Sequence, residues 1–200
     1  MREKVPRKCR EKLLKKGTSA TSKTGYFQLS NRRYLGNKYK LLGFIEDIVN
    51  QKCGEVKSFC DIFAGTGVVG ERFNTKYIDV ISNDFLSSNY ACLQTFLNTV
   101  QALDIEKIQY LNNIFVDDNY FSEHFGNRYF SMENAKKIGA IREEIDNIVD
   151  SQQEKNNLIC SLLYAVDKVA NTVGHYDAFR NNMDSIKPIN LLIPNIDYSH

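Results

Sequence analysis

Apolar side chains recur along this chain with two different periods, and the change between them marks its elements. Leu41, Leu42, Phe44, Ile45, Ile48 and Val49 repeat at helical spacing, which predicts an amphipathic helix from about Lys38 to Gln51. Val56 to Phe63 reads as a buried strand and runs straight into Gly65-Thr66-Gly67. Val68, Val69 and Phe73 then suit the first turns of a helix, and Tyr77 to Ser82 a second strand ending at Asn83-Asp84. A further helix is expected from about Ser87 to Thr99, with Tyr90, Leu93, Phe96 and Leu97 inward. A strand, helix, strand, helix succession implies an α/β fold with parallel strands. Beyond about residue 105 the pattern turns mainly helical. Ile138, Ile141, Ile145 and Ile148 mark one amphipathic helix, and Leu158, Leu162, Val166, Val169 and Val173 another. Only Ile189 to Ile193 resembles a further strand there.

Residues 1–25 have no sustained apolar face; they are basic, then rich in Ser, Thr and Gly, and read as a flexible arm. The expected organisation is therefore a basic arm (1–25), an α/β part (26–104), a helical region (105–188) and the start of a further strand (189–200). Charge sharpens this picture. Residues 1–40 hold 13 Lys or Arg against Glu3 and Glu11, a local +11 within a net charge of +2, so the remainder carries −9. Such a cluster attracts a polyanion through counterion release, which makes nucleic acid a natural partner, while a solvated tail explains it equally well.

With 200 residues, 42% of them apolar and 25% charged, the chain is neither disordered nor fibrous. Its longest uncharged run, Phe85 to Leu103, is too polar for a membrane span. Five scattered cysteines (Cys9, Cys53, Cys60, Cys92, Cys160), with no Cys-x-x-Cys pair and no secretory signal, point to a reducing, cytoplasmic setting with structural thiols. His124, His175 and His200 lack partners at zinc spacing, and neither a Gly-x-Ser-x-Gly elbow nor a Gly-Lys-Ser/Thr phosphate loop occurs.

The chemistry concentrates at SFCDIFAGTGVVG. Gly65 and Gly67 fall at the carboxyl end of the first strand, where missing side chains let a ligand approach the backbone and the next helix N-terminus. Asp84 comes nineteen residues after Gly65, at the end of the second strand, placed to accept hydrogen bonds from two ribose hydroxyls. Gly65-x-Gly67-x-x-Gly70 also satisfies the dinucleotide fingerprint, so the loop alone does not separate a nicotinamide dinucleotide from S-adenosylmethionine. Two features favour the latter. Asp61, in the pattern Asp-x-Phe-x-Gly-x-Gly, would repel a pyrophosphate and suits a cationic methionine moiety. Arg33-Tyr34-Leu35-Gly36-Asn37-Lys38, at the start of the predicted helix, brings Tyr34 and Lys38 within reach of a ligand, and a dinucleotide domain would not need it.

RRYLGNKYKLLGFI, then DIFAGTGVVG, then SND resembles the N-terminal half of the Dam-like, alpha-group adenine-N6 DNA methyltransferases, including modification enzymes of type II restriction systems. The resemblance covers about residues 30–100 and implies a partial Rossmann-like, S-adenosylmethionine-dependent methyltransferase fold. It assigns cofactor contacts to Tyr34 and Lys38, to the loop residues Phe63, Gly65 and Gly67 beside Asp61, and to Asp84 as the ribose-binding acid. It implies double-stranded DNA as the partner and residues 105–188 as a target-recognition region. Within that region, Gly174-His175-Tyr176-Asp177-Ala178-Phe179-Arg180 suits either a DNA-contacting loop or a capped helix end.

The family's catalytic Pro-Pro motif is missing: the prolines are Pro6, Pro188 and Pro194. In the alpha order that motif follows the recognition region, so a truncated enzyme or one half of a split enzyme is expected, with a C-terminal portion or second subunit completing the active site and this chain inactive alone. No catalytic residue and no metal ligand is assigned. Two other classes remain in play: an NAD-binding Rossmann oxidoreductase domain using the same glycines and Asp84, and a nonenzymatic DNA-binding module driven by the basic arm.

Overall fold

The computed structural model describes residues 25–32, 36–98, 103–172, 176, 178–179 and 187–196. The expected basic arm lies outside these residues except for Gly25, and so do Tyr34 and Val173. In chain order the elements are β1 (Tyr26–Phe27), 3-10 turns at Leu29–Asn31 and Lys38–Leu41, α1 (Leu42–Cys53), β2 (Ser58–Asp61), α2 (Val68–Phe73), β3 (Asp79–Ser82) and α3 (Ser87–Leu97). There follow α4 (Ile105–Asn112), α5 (Tyr120–Phe125), α6 (Met132–Ile148), α7 (Gln152–Val169) and β4 (Ile193–Pro194).

β2 and β3 pair in parallel, from Ser58 opposite Asp79 to Asp61 opposite Ser82, as the strand, helix, strand pattern requires. Alternation along both strands turns Phe59 and Val80 toward a cluster with Val68, Val69 and Phe73 of α2 and Leu42, Ile45 and Val49 of α1. Phe59 stacks on Phe73 with ring centroids 4.1 Å apart. The opposite face, Ser58, Cys60, Asp79 and Ile81, is exposed.

The predicted helix from Lys38 begins as a 3-10 turn capped by the Asn37 side chain, which accepts from the Tyr39 N–H, and becomes α-helical only at Leu42. Its apolar positions split into two stripes. Leu42, Ile45 and Val49 face the core, whereas Leu41, Phe44 and Ile48 are exposed.

In α3 the expectation for Tyr90 fails, because half of that side chain is exposed. Small residues, Ala91, Cys92 and Thr95, are buried instead, and they let α3 lie close against α7. Large apolar side chains dominate a periodicity reading, but close helix approach needs small ones. Phe27, Phe96 and Tyr164 fill the remaining space between β1, α3 and α7. Cys92 and Cys160 are buried here, as structural thiols should be, while Cys53 and Cys60 are exposed; all four are free.

The helical half has its own core, built from the inward stripes predicted on α6 (Ile138, Ile141, Ile145) and α7 (Leu158, Leu162, Val169) together with Ile108 and Leu111 of α4. Ile189 and Leu191 complete it, although the strand predicted at Ile189–Ile193 shortens to β4, which pairs in parallel with β1 through Tyr26–Ile193 and Phe27–Pro194. Residues 187–191 are held by two asparagine side chains. Asn134 donates to the Lys187 carbonyl at 2.9 Å and accepts from the Ile189 N–H at 2.8 Å; Asn112 donates to the Leu191 carbonyl at 3.1 Å and accepts from its N–H at 2.6 Å. Each carboxamide, with one donor end and one acceptor end, replaces one rung of a ladder.

Gly139 on α6 lets Asn119 reach the helix. That side chain caps α5 at the Ser122 N–H (3.0 Å) and donates to the Lys136 carbonyl (2.8 Å), and a Cβ at position 139 would stand 2.1 Å from its Oδ1. Asn119→Ala is therefore expected to remove the cap and cost about 1 kcal/mol or more. Its denaturation midpoint should fall below that of the native chain; an unchanged midpoint would contradict the packing.

Candidate cofactor site

β2 and β3 end side by side, and the chain leaving each strand carries the polar groups predicted from the motifs. The Asn83 N–H donates to the Asp61 carbonyl at 2.8 Å, and the Ala64 N–H to the Asn83 carbonyl at 2.9 Å, so pairing continues past the strands and fixes the start of the glycine loop. Gly65 has φ +56° and Gly67 φ +89°, backbone conformations that L side chains rarely adopt. A Cβ on Gly67 would also stand 2.7 Å from Leu93 of α3. Gly70 serves packing: its Cβ would lie 2.6 Å from Ser82 Oγ, so its absence lets α2 lie on β3.

Asp84 closes the loop. Its Oδ2 accepts from the Gly65 N–H at 2.8 Å, and its Oδ1 accepts from the Leu86 N–H at 3.0 Å and from Asn89 Nδ2 at 2.9 Å. Burial pushes its pKa upward, but the hydrogen bonds from Leu86, Asn89 and Gly65, helped by the Lys38 charge, outweigh this and hold it below the ordinary value. Asp84 is thus ionised at neutral pH.

Lys38 and Asp61 form the other side of the site. Lys38 Nζ donates to the Phe63 carbonyl at 2.5 Å and stands 3.8 Å from Asp61 Oδ2. Asp61 Oδ1 accepts from the Phe63 N–H at 3.2 Å, while its Oδ2 is buried and makes no hydrogen bond. The Phe63 side chain is 76% exposed beside this pair. The structure therefore gathers Lys38, Asp61, Phe63, Gly65, Gly67 and Asp84 at one end of the sheet; the remaining predicted contact, Tyr34, lies outside the described residues.

Two further groups escaped the motif reading. Phe85, next to Asp84, is 98% exposed, a large apolar surface presented beside the carboxylate. Asn89, fully buried in the first turn of α3, grips Asp84. Its position five residues after the acid was the one signal available for it. Arg32, one of the 13 basic residues of 1–40, is a mostly buried side chain 3.7 Å from Asp167 of α7.

In the helical region, Tyr176 and Phe179 of the aromatic segment pack against Tyr129, with ring centroids 5.6 and 5.5 Å apart. Among the described residues no group of three or more His, Cys, Asp or Glu could hold a metal ion, and no helix is long and apolar enough to cross a membrane.

A parallel strand pair, a positive-φ glycine loop at its carboxyl end and two carboxylates beside it form the kind of strand-end crevice at which ligands bind in open α/β sheets. The class narrows on comparison with known proteins. The family model described as D12 class N6 adenine-specific DNA methyltransferase matches residues 34–198, and the chain belongs to that family. It is 33% identical over 175 residues to the type II methyltransferase M.NlaIII of Neisseria lactamica, covering 79% of this chain and 52% of that protein. It is 34% identical over 168 residues to modification methylase LlaI of Lactococcus lactis subsp. lactis (74% and 27%) and 31% identical over 161 residues to the type II methyltransferase M.CviAII of Paramecium bursaria Chlorella virus 1 (73% and 48%). The chain thus spans about half the length of two of these relatives and about a quarter of the third. No solved structure matches.

Proposed function

We propose that this chain is the cofactor-binding and target-recognition portion of a Dam-like, alpha-group adenine-N6 DNA methyltransferase of a restriction-modification system, with S-adenosylmethionine as cofactor and double-stranded DNA as partner. The observation that carries this reading is Asp61 beside the glycine loop, with its buried Oδ2 making no hydrogen bond. S-adenosylmethionine bears a sulfonium and an ammonium, which that carboxylate attracts, whereas it would repel the pyrophosphate of a dinucleotide; Asp84 as a ribose acid serves either ligand. The oxidoreductase alternative is dropped on that ground and on family membership.

The donor set fits the cofactor. Asp84 has about four acceptor directions and three protein donors, which leaves one side for a ribose hydroxyl. The buried Oδ2 of Asp61 suits the ammonium, Lys38 the carboxylate, and the exposed Phe63 and Phe85 rings the apolar surface of methionine and adenine. Tyr34 is proposed as a further contact. When bound, S-adenosylmethionine supplies an electrophilic methyl group; the residues named here hold and orient it.

Transfer to an exocyclic adenine nitrogen also needs acceptors for the amino group and an aromatic surface against a flipped base. The Pro-Pro motif that carries these in the family is absent from the 200 residues, so a C-terminal portion or a second polypeptide is proposed to supply it. Incubated with duplex DNA and methyl-labelled S-adenosylmethionine, the chain alone is expected to retain labelled cofactor and to transfer no label. Transfer at ordinary enzyme rates would overturn this division of labour.

A further inference from the structure

A line of polar contacts, one ion pair followed by three hydrogen bonds, runs from the helical region into the candidate site. Asp167, near the end of α7, stands 3.7 Å from Arg32 Nε. Arg32 Nη1 donates to Asn89 Oδ1 at 2.9 Å, Asn89 Nδ2 donates to Asp84 Oδ1 at 2.9 Å, and Asp84 Oδ2 receives the Gly65 N–H at 2.8 Å. Asn89 is fully buried, and the side chains of Arg32 and Asp167 are 8% and 16% exposed. The line is polarised. A guanidinium only donates and an ionised carboxylate only accepts, so a carboxamide between them fits one way round, oxygen toward Arg32 and nitrogen toward Asp84. Arg32 is itself anchored, because Tyr164 of α7 donates its hydroxyl to the Leu29 carbonyl at 2.7 Å and so pins the 3-10 turn from which Arg32 leaves.

We propose that Arg32 and Asn89 are positioning residues that set the orientation of the Asp84 carboxylate, and that Asp167 holds them, so that the grip on the cofactor's ribose is fixed from α7. The inference rests on the ribose-binding reading of Asp84. A simple packing role for Asn89 would call for one partner; here each end of the amide meets a group of the opposite hydrogen-bonding character. The guanidinium supplies two directions at once, toward Asp167 and toward Asn89, which a lysine ammonium at the same place would not reproduce.

The test compares S-adenosylhomocysteine with its 2′,3′-dideoxy analogue, which lacks the ribose hydroxyls, by calorimetric titration of the full chain. The native chain is expected to prefer the hydroxylated ligand at least tenfold. In Asn89→Leu and Arg32→Lys that preference should collapse toward equal affinity for the two ligands, with the affinity for the dideoxy analogue little changed. Asp167→Asn keeps the shape of the side chain, covers the case in which the core variants do not fold, and should lower the preference by a smaller factor. Equal loss of affinity for both ligands, or a native preference retained in all three variants, would overturn the positioning role while leaving the cofactor assignment intact. Failure of the native chain to bind S-adenosylhomocysteine would overturn the cofactor assignment and the positioning role together.

Discussion

Asp84→Ala is expected to lower S-adenosylmethionine affinity at least a hundredfold, enough to remove binding from a calorimetric titration. The expectation combines two losses. A hydrogen bond to a charged group is worth about 1.5–3 kcal/mol, so losing the one ribose contact left open to Asp84 accounts for a roughly tenfold to hundredfold drop. The same substitution frees the Gly65 N–H, the Leu86 N–H and Asn89 Nδ2, which Asp84 now gathers, and so loosens the loop that the cofactor must meet. Asp84→Asn retains one acceptor oxygen and should fall between alanine and the native residue.

The pH dependence follows from the depressed pKa of Asp84. Affinity that depends on the ionised carboxylate is constant above its pKa in the unliganded chain, which lies below the ordinary 3.8, and falls only as the pH drops through that depressed value. Cofactor affinity should therefore be flat on Asp84's account between about pH 5 and 8. An affinity that titrates away with a midpoint above about 5, and does so only while Asp84 is present, would contradict this.

The second large effect concerns folding. Replacing both Asn112 and Asn134 by leucine should abolish or nearly abolish cooperative unfolding. Ile189 and Leu191 are completely or almost completely buried, and the substitutions leave their N–H groups without acceptors. Each orphaned buried donor costs about 1–3 kcal/mol, so two approach a large fraction of the stability of an ordinary domain. The single variants should be less than additive, because releasing one end of the 187–191 segment already frees the other. Urea denaturation of the two singles and the double measures this. Midpoints for all three within error of the native chain would show that the asparagines do not carry the segment.

The part of the molecule legible in the sequence is the part whose chemistry is local. The positive-φ glycines, the acid at the end of β3 and the inward stripes of α6 and α7 all follow from spacing within a few residues, and the structure places them together as that spacing requires. Long-range polar contacts were not legible. Asn112 and Asn134 lie in helices and hold a segment more than fifty residues away, and nothing local distinguishes them from surface asparagines. Arg32 is one of 13 basic residues in 1–40, where a charge count groups it with a polyanion-attracting cluster; only the folded chain shows it facing Asp167. Tyr90 and the small face of α3 were misjudged for a related reason, since side-chain size signals burial until a close helix contact reverses the preference.

The glycine loop, Asp61 and Asp84 are proposed to bind S-adenosylmethionine. The most direct measurement is a pair of calorimetric titrations of the native chain, one with S-adenosylmethionine and one with NAD at the same concentrations. Saturable one-to-one binding of S-adenosylmethionine with no heat from NAD is the expected result. Binding of NAD with none of S-adenosylmethionine would contradict the electrostatic reading of Asp61, and silence with both ligands would contradict the proposal that these residues form the site.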